Sequence, residues 1–290
     1  MQGNVEVERL QKPKRIGIVL GSIGDLNVSV LQFLVLRLNS LQKSFEYEFL
    51  PNDPIGDSFL QMLRSNSLVD RKTVRGGVTG FLGRYQKYLE DFIRDFHLKE
   101  SRPNYFVVIT LARFDDQYYS MRENRISVLA LGNWERRMAP PSIFEFVLTL
   151  ILRESVAVVS PSLRSSIHLG TKGCLLDFTP SLGDARFKAL NGFICNHCRE
   201  ALQSDGFADL SDELVRVLKK KWLGKSFDPS SPAGIVSKLG YDLFMTRGLK
   251  PTLRERVLAG LQETAVKQLL QIVGGIVLAA LLVWLGLKKP

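Results

Sequence analysis

The chain has 290 residues, of which 45% are apolar and 23% are charged, so it can bury a substantial core. This composition excludes a disordered protein, and 12 prolines and 23 glycines exclude a collagen-like or low-complexity chain. The three cysteines are an odd number and the first fifteen residues lack the apolar run of a signal peptide. A secreted fold held by disulfides is therefore not expected, and we predict a reducing compartment.

Strand and helix patterns alternate in the first hundred residues. A β-branched run at 15–21 predicts a strand, and Asp25 is the expected N-cap of a helix that continues to Leu41. Residues 45–51 alternate like a second strand, and residues 57–63 predict a short helix. Residues 67–80 carry charges and Gly76-Gly77 without clear periodicity, which predicts an exposed loop before a helix at 81–96.

Two runs of consecutive apolar residues, 104–110 and 125–132, predict strands that are covered on both faces. Ser142 and Glu145 have the spacing of a capping box at the start of a nearly continuous apolar helix, which we predict to be the core helix. After a flexible N-terminus at 1–14, we therefore predict that residues 15–205 form an α/β or α+β domain, three-layered with a mixed sheet.

The rest of the chain is predicted to be helical. Apolar spacing at 212–223 and 231–244 indicates a small helical appendage at 206–251, followed by a helical stalk at 252–267. Residues 268–287 contain no charged side chain, and twenty helical residues are about 30 Å long, which matches a bilayer core. We predict one transmembrane helix there, which could be continuous with the stalk.

The charges around the predicted span favour one orientation. The net charge is +10, and residues 206–290 carry 13 lysines and arginines against 7 acidic residues. Most of these basic residues precede the span, so the positive-inside rule places the large N-terminal part in the cytoplasm, with a tail-anchored, single-pass topology. The expected partners are the lipid bilayer and a protein partner or a second copy bound through the anchor, where Gly274-Gly275 could permit close contact.

Potential metal ligands are concentrated in a short part of the chain. Five of the six histidines and cysteines lie between residues 168 and 198. Cys195 and Cys198 have the C-x2-C spacing of a zinc knuckle, and His168 and Cys174 could complete a tetrahedral set. His197 is the competing fourth ligand, and buried thiols without a metal remain the alternative.

The same residues resemble a known family. His168-Leu-Gly-Thr-Lys-Gly-Cys174, followed after twenty intervening residues by Cys195-x2-Cys198, is similar to the C-terminal part of archaemetzincins, zinc peptidases with the motif HExxHxxGxxHCx4CM…CxxC. Aligned in this way, Val158 and Ser162 replace the first two zinc-binding histidines, Val159 replaces the general-base glutamate, and Ser165 replaces the glycine. The resemblance therefore implies a degenerate, noncatalytic domain that keeps a structural zinc site at His168, Cys174, Cys195 and Cys198.

We thus expect a membrane-tethered, noncatalytic module that acts as a sensor or protein-interaction unit. One alternative is a zinc peptidase with a remodelled active site. Another is a nucleotide-gated membrane effector that uses the turn Gly21–Asp25 at a helix N-terminus. The carboxylates Glu145 and Glu154 are nine residues apart and do not predict a shared acid–base site. Basic runs such as Lys219-Lys220-Lys221 are expected on solvated helix faces, so no specific nucleic acid partner is predicted.

Overall fold

The computed structural model describes residues 12–51, 56–164, 168–169 and 173–285. These residues belong to two compact units, which divide between Leu249 and Lys250. The predicted flexible N-terminus at 1–14 lies almost entirely outside the described residues, as does Ser165.

Strands and helices alternate along the first unit. Its strands are β1 (Lys14–Leu20), β2 (Phe45–Phe49), β3 (Leu68–Val69), β4 (Tyr105–Thr110), β5 (Arg113–Phe114), β6 (Ser120–Glu123) and β7 (Ile126–Ala130). Its helices are α1 (Val28–Leu38), α2 (Ser58–Met62), α3 (Arg71–Asp95), α4 (Ile143–Val159), α5 (Pro161–Arg164), α6 (Leu182–Asn191), α7 (Asn196–Ser204), α8 (Ala208–Leu218) and α9 (Pro232–Lys238).

Five of the strands form a mixed sheet in the order β2-β1-β4-β7-β6. The first four are parallel, with Ile18 paired to Val107 between β1 and β4, and β6 runs antiparallel to β7 at one edge. A second, two-stranded parallel sheet joins β3 to β5. The predicted α/β class with a mixed sheet is confirmed.

Both faces of the main sheet are covered by helices. Along β4, Val107 and Ile109 pack into a core with α1 and α4, whereas Phe106 and Val108 pack into a second core with α2 and α3. Because successive side chains of a strand point to opposite faces, this alternation requires one helical layer on each side. It also explains why the sequence of β4 is a continuous apolar run.

The predicted loop at 67–80 is wrong. Helix α3 begins at Arg71, because the carboxylate of Asp70 accepts hydrogen bonds from the backbone N–H groups of Lys72 and Thr73. Val74 and Val78 are buried at helical spacing ahead of the predicted helix. The adjacent glycines 76 and 77 concealed this pattern, although a helix tolerates them when neighbouring side chains are buried.

The start of α1 is also displaced from the expected position. Its N-cap is Asn27 rather than Asp25, and the Asn27 side chain accepts a hydrogen bond from Val30 N–H at 3.1 Å. Ile23 and Leu26 are buried ahead of this cap, so the turn after β1 is fixed by packing. The capping box of Ser142 and Glu145 at the start of α4 is confirmed.

The helices after residue 205 share the main core. Leu210 and Leu214 of α8 and Val236 of α9 belong to the same buried cluster as α1 and α4. This packing places the metal-ligand region, which lies between α5 and α8, against a well-formed hydrophobic layer.

The second unit is dominated by α10 (Leu253–Trp284), a helix of 32 residues. Thr252 and Glu255 form a capping box at its start, and the helix continues without a break through the predicted stalk and into the predicted span. Within the described residues it is the one helix long and apolar enough to cross a membrane. Residues 286–287 of the predicted span lie outside the described part.

Candidate metal centre

The site is built on short backbone bridges between α5 and α7. Leu175 N–H donates to the carbonyl of Phe193 at 2.9 Å, and Phe178 N–H donates to the carbonyl of His168 at 3.1 Å. Gly173, immediately before Cys174, has a φ of +139°, a backbone conformation that residues other than glycine rarely adopt. These contacts bring the segments that carry His168 and Cys174 beside the start of α7.

The other two cysteines lie at the start of α7. Cys195 is the N-cap of this helix, and Cys198 lies in its first turn. Residues three apart in a helical turn project to the same side, so both sulfurs can reach one point. The helix N-terminus also favours negative charge, which suits thiolate ligands.

The four predicted ligands converge. Their ligand atoms all lie within 4.8 Å of one another. His168 Nε2 is 3.1 Å from Cys198 Sγ and 3.7 Å from Cys195 Sγ, and the Sγ atoms of Cys174 and Cys198 are 3.8 Å apart. The four residues that the sequence groups together therefore lie in one cluster, which could hold a metal ion.

Two of these separations match a tetrahedral zinc ion, and the 3.1 Å between His168 Nε2 and Cys198 Sγ is shorter than the tetrahedral value. With Zn–S bonds of about 2.3 Å, two sulfurs on a regular tetrahedron are about 3.8 Å apart, and a sulfur and a nitrogen about 3.5 Å apart. A disulfide instead needs sulfurs about 2.05 Å apart, so the 3.8 Å between Cys174 and Cys198 is not a disulfide distance. Four protein donors would also fill the tetrahedron and leave no position for a reactive water.

The thiols influence one another's ionisation. The hydrogen bond between the Cys174 and Cys198 sulfurs, together with one from the backbone N–H of Cys195, lowers the pKa of the Cys174 thiol in spite of its burial. That hydrogen bond, with burial and the adjacent negative charge, raises the pKa of Cys198, and burial raises the pKa of Cys195. Repulsion thus opposes a second thiolate, and a bound dication would remove this opposition.

Asp177 supports the cluster, a role that its sequence context did not predict. Its Oδ1 is 2.9 Å from His168 Nδ1, at an angle short of a formed hydrogen bond, while its Oδ2 accepts from the N–H groups of Gly173 and Cys174 at 2.7 and 3.0 Å. The backbone carbonyl of Asp177 accepts from the buried ammonium of Lys188. A carboxylate behind a ligating histidine orients the ring and strengthens it as a ligand. The one sequence feature that could have indicated this role is the position of Asp177 three residues after the predicted ligand Cys174.

The other candidate residues lie outside the group of four ligands. His197 is exposed, and its ring centroid is 6.0 Å from that of His168, so it lies outside the group of four. Val159 is buried at the end of α4, and the Ser162 hydroxyl donates to the Asp205 carboxylate at 2.8 Å. The described positions aligned with the zinc-binding helix of archaemetzincins thus hold aliphatic or hydroxyl side chains.

The turn after β1 uses its polar groups for packing. Gly21 N–H donates to the carbonyl of Ile109 at 2.9 Å, and the carbonyl of Ser22 accepts from Leu111 N–H at 2.9 Å. Gly24 has a φ of +51°, which explains the glycine at this position. These bonds tie the turn to the end of β4, and the Gly21 N–H that a phosphate could use is already bonded to Ile109.

Comparison with known proteins finds no matching family model, no matching curated protein and no matching solved structure. The likeness to archaemetzincins therefore rests on the residues of the chain alone and stays a prediction.

Proposed function

We propose that the chain is a membrane-anchored, noncatalytic module in which His168, Cys174, Cys195 and Cys198 hold a structural zinc ion, and that it acts as a sensor or protein-interaction unit. The convergence of the four ligand atoms within 4.8 Å carries this proposal. Three cysteines and one histidine form one of the common ligand sets of structural zinc. The degenerate archaemetzincin-like origin suggested by the sequence belongs to the same proposal.

The noncatalytic role is supported by the chemistry of the site. Catalytic zinc sites keep one coordination position open and place a general base beside the bound water. Here four protein donors are available, and the carboxylate of Asp177 already accepts hydrogen bonds from the N–H groups of Gly173 and Cys174 and lies 2.9 Å from His168 Nδ1. A structural ion would fix the segment from His168 to Phe178, which contains only isolated β-bridges among its described residues.

Attachment to a membrane is supported by α10. Its side chains from Leu269 to Trp284 are exposed within the unit except for the half-buried Leu282, with Ile276 at 63% and Trp284 at 82%. An apolar surface of this extent needs a bilayer or a partner to cover it. The basic residues before the span favour a cytoplasmic first unit, a reducing environment in which thiols stay available for a metal.

Metal analysis of the full chain, purified in detergent, tests the zinc proposal. We expect about one zinc per chain, and loss of that zinc in Cys195→Ser and His168→Asn. His197→Asn is the matched control, because this neighbouring imidazole is exposed and outside the group of four. Zinc content near zero in the wild-type chain, or equal loss from the His168 and His197 variants, would refute the zinc site.

Two further measurements test the noncatalytic role and the orientation of the chain in the membrane. Peptide or casein hydrolysis by the zinc-loaded full chain, abolished by a chelator, would refute the noncatalytic role. Protease protection in sealed microsomes should show the first unit accessible from the cytosolic side. Protection of that unit inside the vesicles would refute the orientation.

A further inference from the structure

A cavity of about 250 Å³ lies around the edge strand β6 and is lined by arginines from four different elements. They are Arg71 and Arg75 at the start of α3, Arg122 on β6, Arg153 on α4 and Arg164 on α5. Glu154 is the single carboxylate among the described residues that line the cavity. An excess of guanidinium groups in a partly enclosed space creates a positive potential that attracts anions.

The one lining carboxylate is fully engaged. Glu154 Oε2 accepts from Arg122 Nη2 at 2.7 Å and from Ser127 Oγ at 2.8 Å, and Oε1 accepts from Arg153 Nη1 at 2.9 Å. Burial on its own would raise the pKa of Glu154, but the charges of Arg153 and Arg122 outweigh it and the pKa is lowered. Two guanidinium groups thus share a single negative charge, and one positive charge remains beside the cavity.

The other arginines add to this excess. Arg71 and Arg75 pair with Asp116 and Glu123 at 2.7 and 3.2 Å, and all four of these side chains are at least one third exposed. Such pairs are screened by solvent and hold their partners weakly. Arg164 donates to the backbone carbonyls of residues 157 and 158, and no described carboxylate lies within ion-pair distance of it. It keeps N–H donors for a ligand.

Aromatic rings form one wall of the same cavity. Tyr118 and Phe178 are stacked with ring centroids 6.1 Å apart and planes 22° apart. The guanidinium of Arg71 lies over the Tyr118 ring at 4.8 Å from its centroid. Phe178 is 40% exposed, so part of this apolar surface is available to a ligand. A planar ring would cover it by stacking.

We propose that this cavity binds a small organic phosphate with a planar ring, of the size of a ribonucleoside monophosphate. Arginine forks match phosphate oxygens in charge and in bidentate geometry, and the aromatic wall accepts the ring. The volume falls just below the roughly 300 Å³ at which drug-sized pockets begin, which favours one nucleotide unit over a dinucleotide. The idea that this nucleotide is the ligand of a sensor rests on the proposed function. The binding site itself does not depend on that function.

Calorimetric titration of the full chain in detergent tests the proposal, with AMP, GMP, CMP, UMP, adenosine and inorganic phosphate as probes. We expect at least one of the monophosphates to bind saturably, and both adenosine and inorganic phosphate to bind at least tenfold more weakly. No saturable binding of any monophosphate at millimolar concentration would overturn the proposal. Inorganic phosphate binding as tightly as the best monophosphate would overturn recognition of the ring.

Variants locate the site. Arg164→Gln and Arg75→Gln should each weaken binding of that monophosphate at least fivefold, and Tyr118→Leu should weaken it without changing the affinity for inorganic phosphate. Arg186→Gln is the matched control, because Arg186 also donates to a backbone carbonyl, that of Pro140 at 2.9 Å, but does not line the cavity. Equal effects of the control and cavity variants would overturn the location.

The Arg75→Gln variant should fold like the wild-type chain, because the Arg75 side chain is 56% exposed. Zinc content is measured on every variant. Full zinc with no nucleotide binding would overturn the cavity alone, whereas loss of zinc from the wild-type chain would overturn the proposed module.

Discussion

Replacing Glu154 with glutamine should destabilise the first unit more than any exposed carboxylate replacement. The Glu154 side chain is 2% exposed and accepts hydrogen bonds from Arg122, Ser127 and Arg153. Removing one partner of a buried ion pair typically costs about 3–5 kcal/mol, because the remaining charge is left uncompensated. Two arginines depend on this one carboxylate, so we expect Glu154→Gln to fall within that range.

Urea denaturation of the full chain in detergent, followed by circular dichroism, measures this cost. With an m-value of about 2–3 kcal/mol per molar urea, the midpoint should fall by about 1–2.5 M. Glu123→Gln is the control, since Glu123 pairs with the exposed Arg75 and such a pair contributes about 1 kcal/mol or less. Equal midpoints for the Glu154 and Glu123 variants would refute the reasoning.

The ion pairs of Glu154 with Arg122 and Arg153 also predict how stability depends on pH. Because the pKa of Glu154 is lowered in the folded chain, its ionised form stabilises the fold above the ordinary glutamate pKa of about 4.3. This contribution is lost as the pH falls through the lower folded value. The free energy of unfolding should therefore decrease less steeply in acid for Glu154→Gln than for the wild-type chain, and parallel curves would contradict this.

Three other predictions concern the metal centre and the anchor. Asp177→Asn should weaken zinc binding about 10–100-fold in competition with a chromophoric chelator, because the asparagine cannot supply the charge behind His168. Gly173→Ala should cost about 1–3 kcal/mol of unfolding free energy at a φ of +139°, whereas Gly183→Ala in α6 should not, and equal urea midpoints would contradict this. Leu278→Asp should reduce membrane insertion by about 2.5–3.5 kcal/mol in a microsomal glycosylation assay, and Leu258→Asp in the predicted stalk should leave insertion unchanged.

The elements that could be predicted are those whose signals are local. Strands β4 and β7 are apolar runs with few interruptions, and α4 begins with a capping box that the structure contains. The group of His168, Cys174, Cys195 and Cys198 was also predictable, because few other residues of these types compete for the assignment. In each case the residues that decide the structure are close in sequence or chemically distinctive.

The elements that were missed depend on contacts between distant residues. Strands β5 and β6 have two and four residues and include charged side chains, so they carry no apolar pattern. The first turns of α3 were concealed by glycines that only tertiary packing makes acceptable. The arginine cavity draws its residues from positions 71 to 178, and no spacing rule connects them.

The metal centre and the cavity share one short segment. Asp177 holds His168 and the backbone at Cys174, while its neighbours Leu176 and Phe178 line the cavity. Between α5 and α6 the described chain has only isolated bridges, so it has little secondary structure of its own to hold these side chains in place. A structural ion at Cys174 would supply that rigidity. If the domain is noncatalytic as proposed, this gives a reason for it to keep metal ligands: the ion would maintain the wall of the proposed binding site instead of activating water.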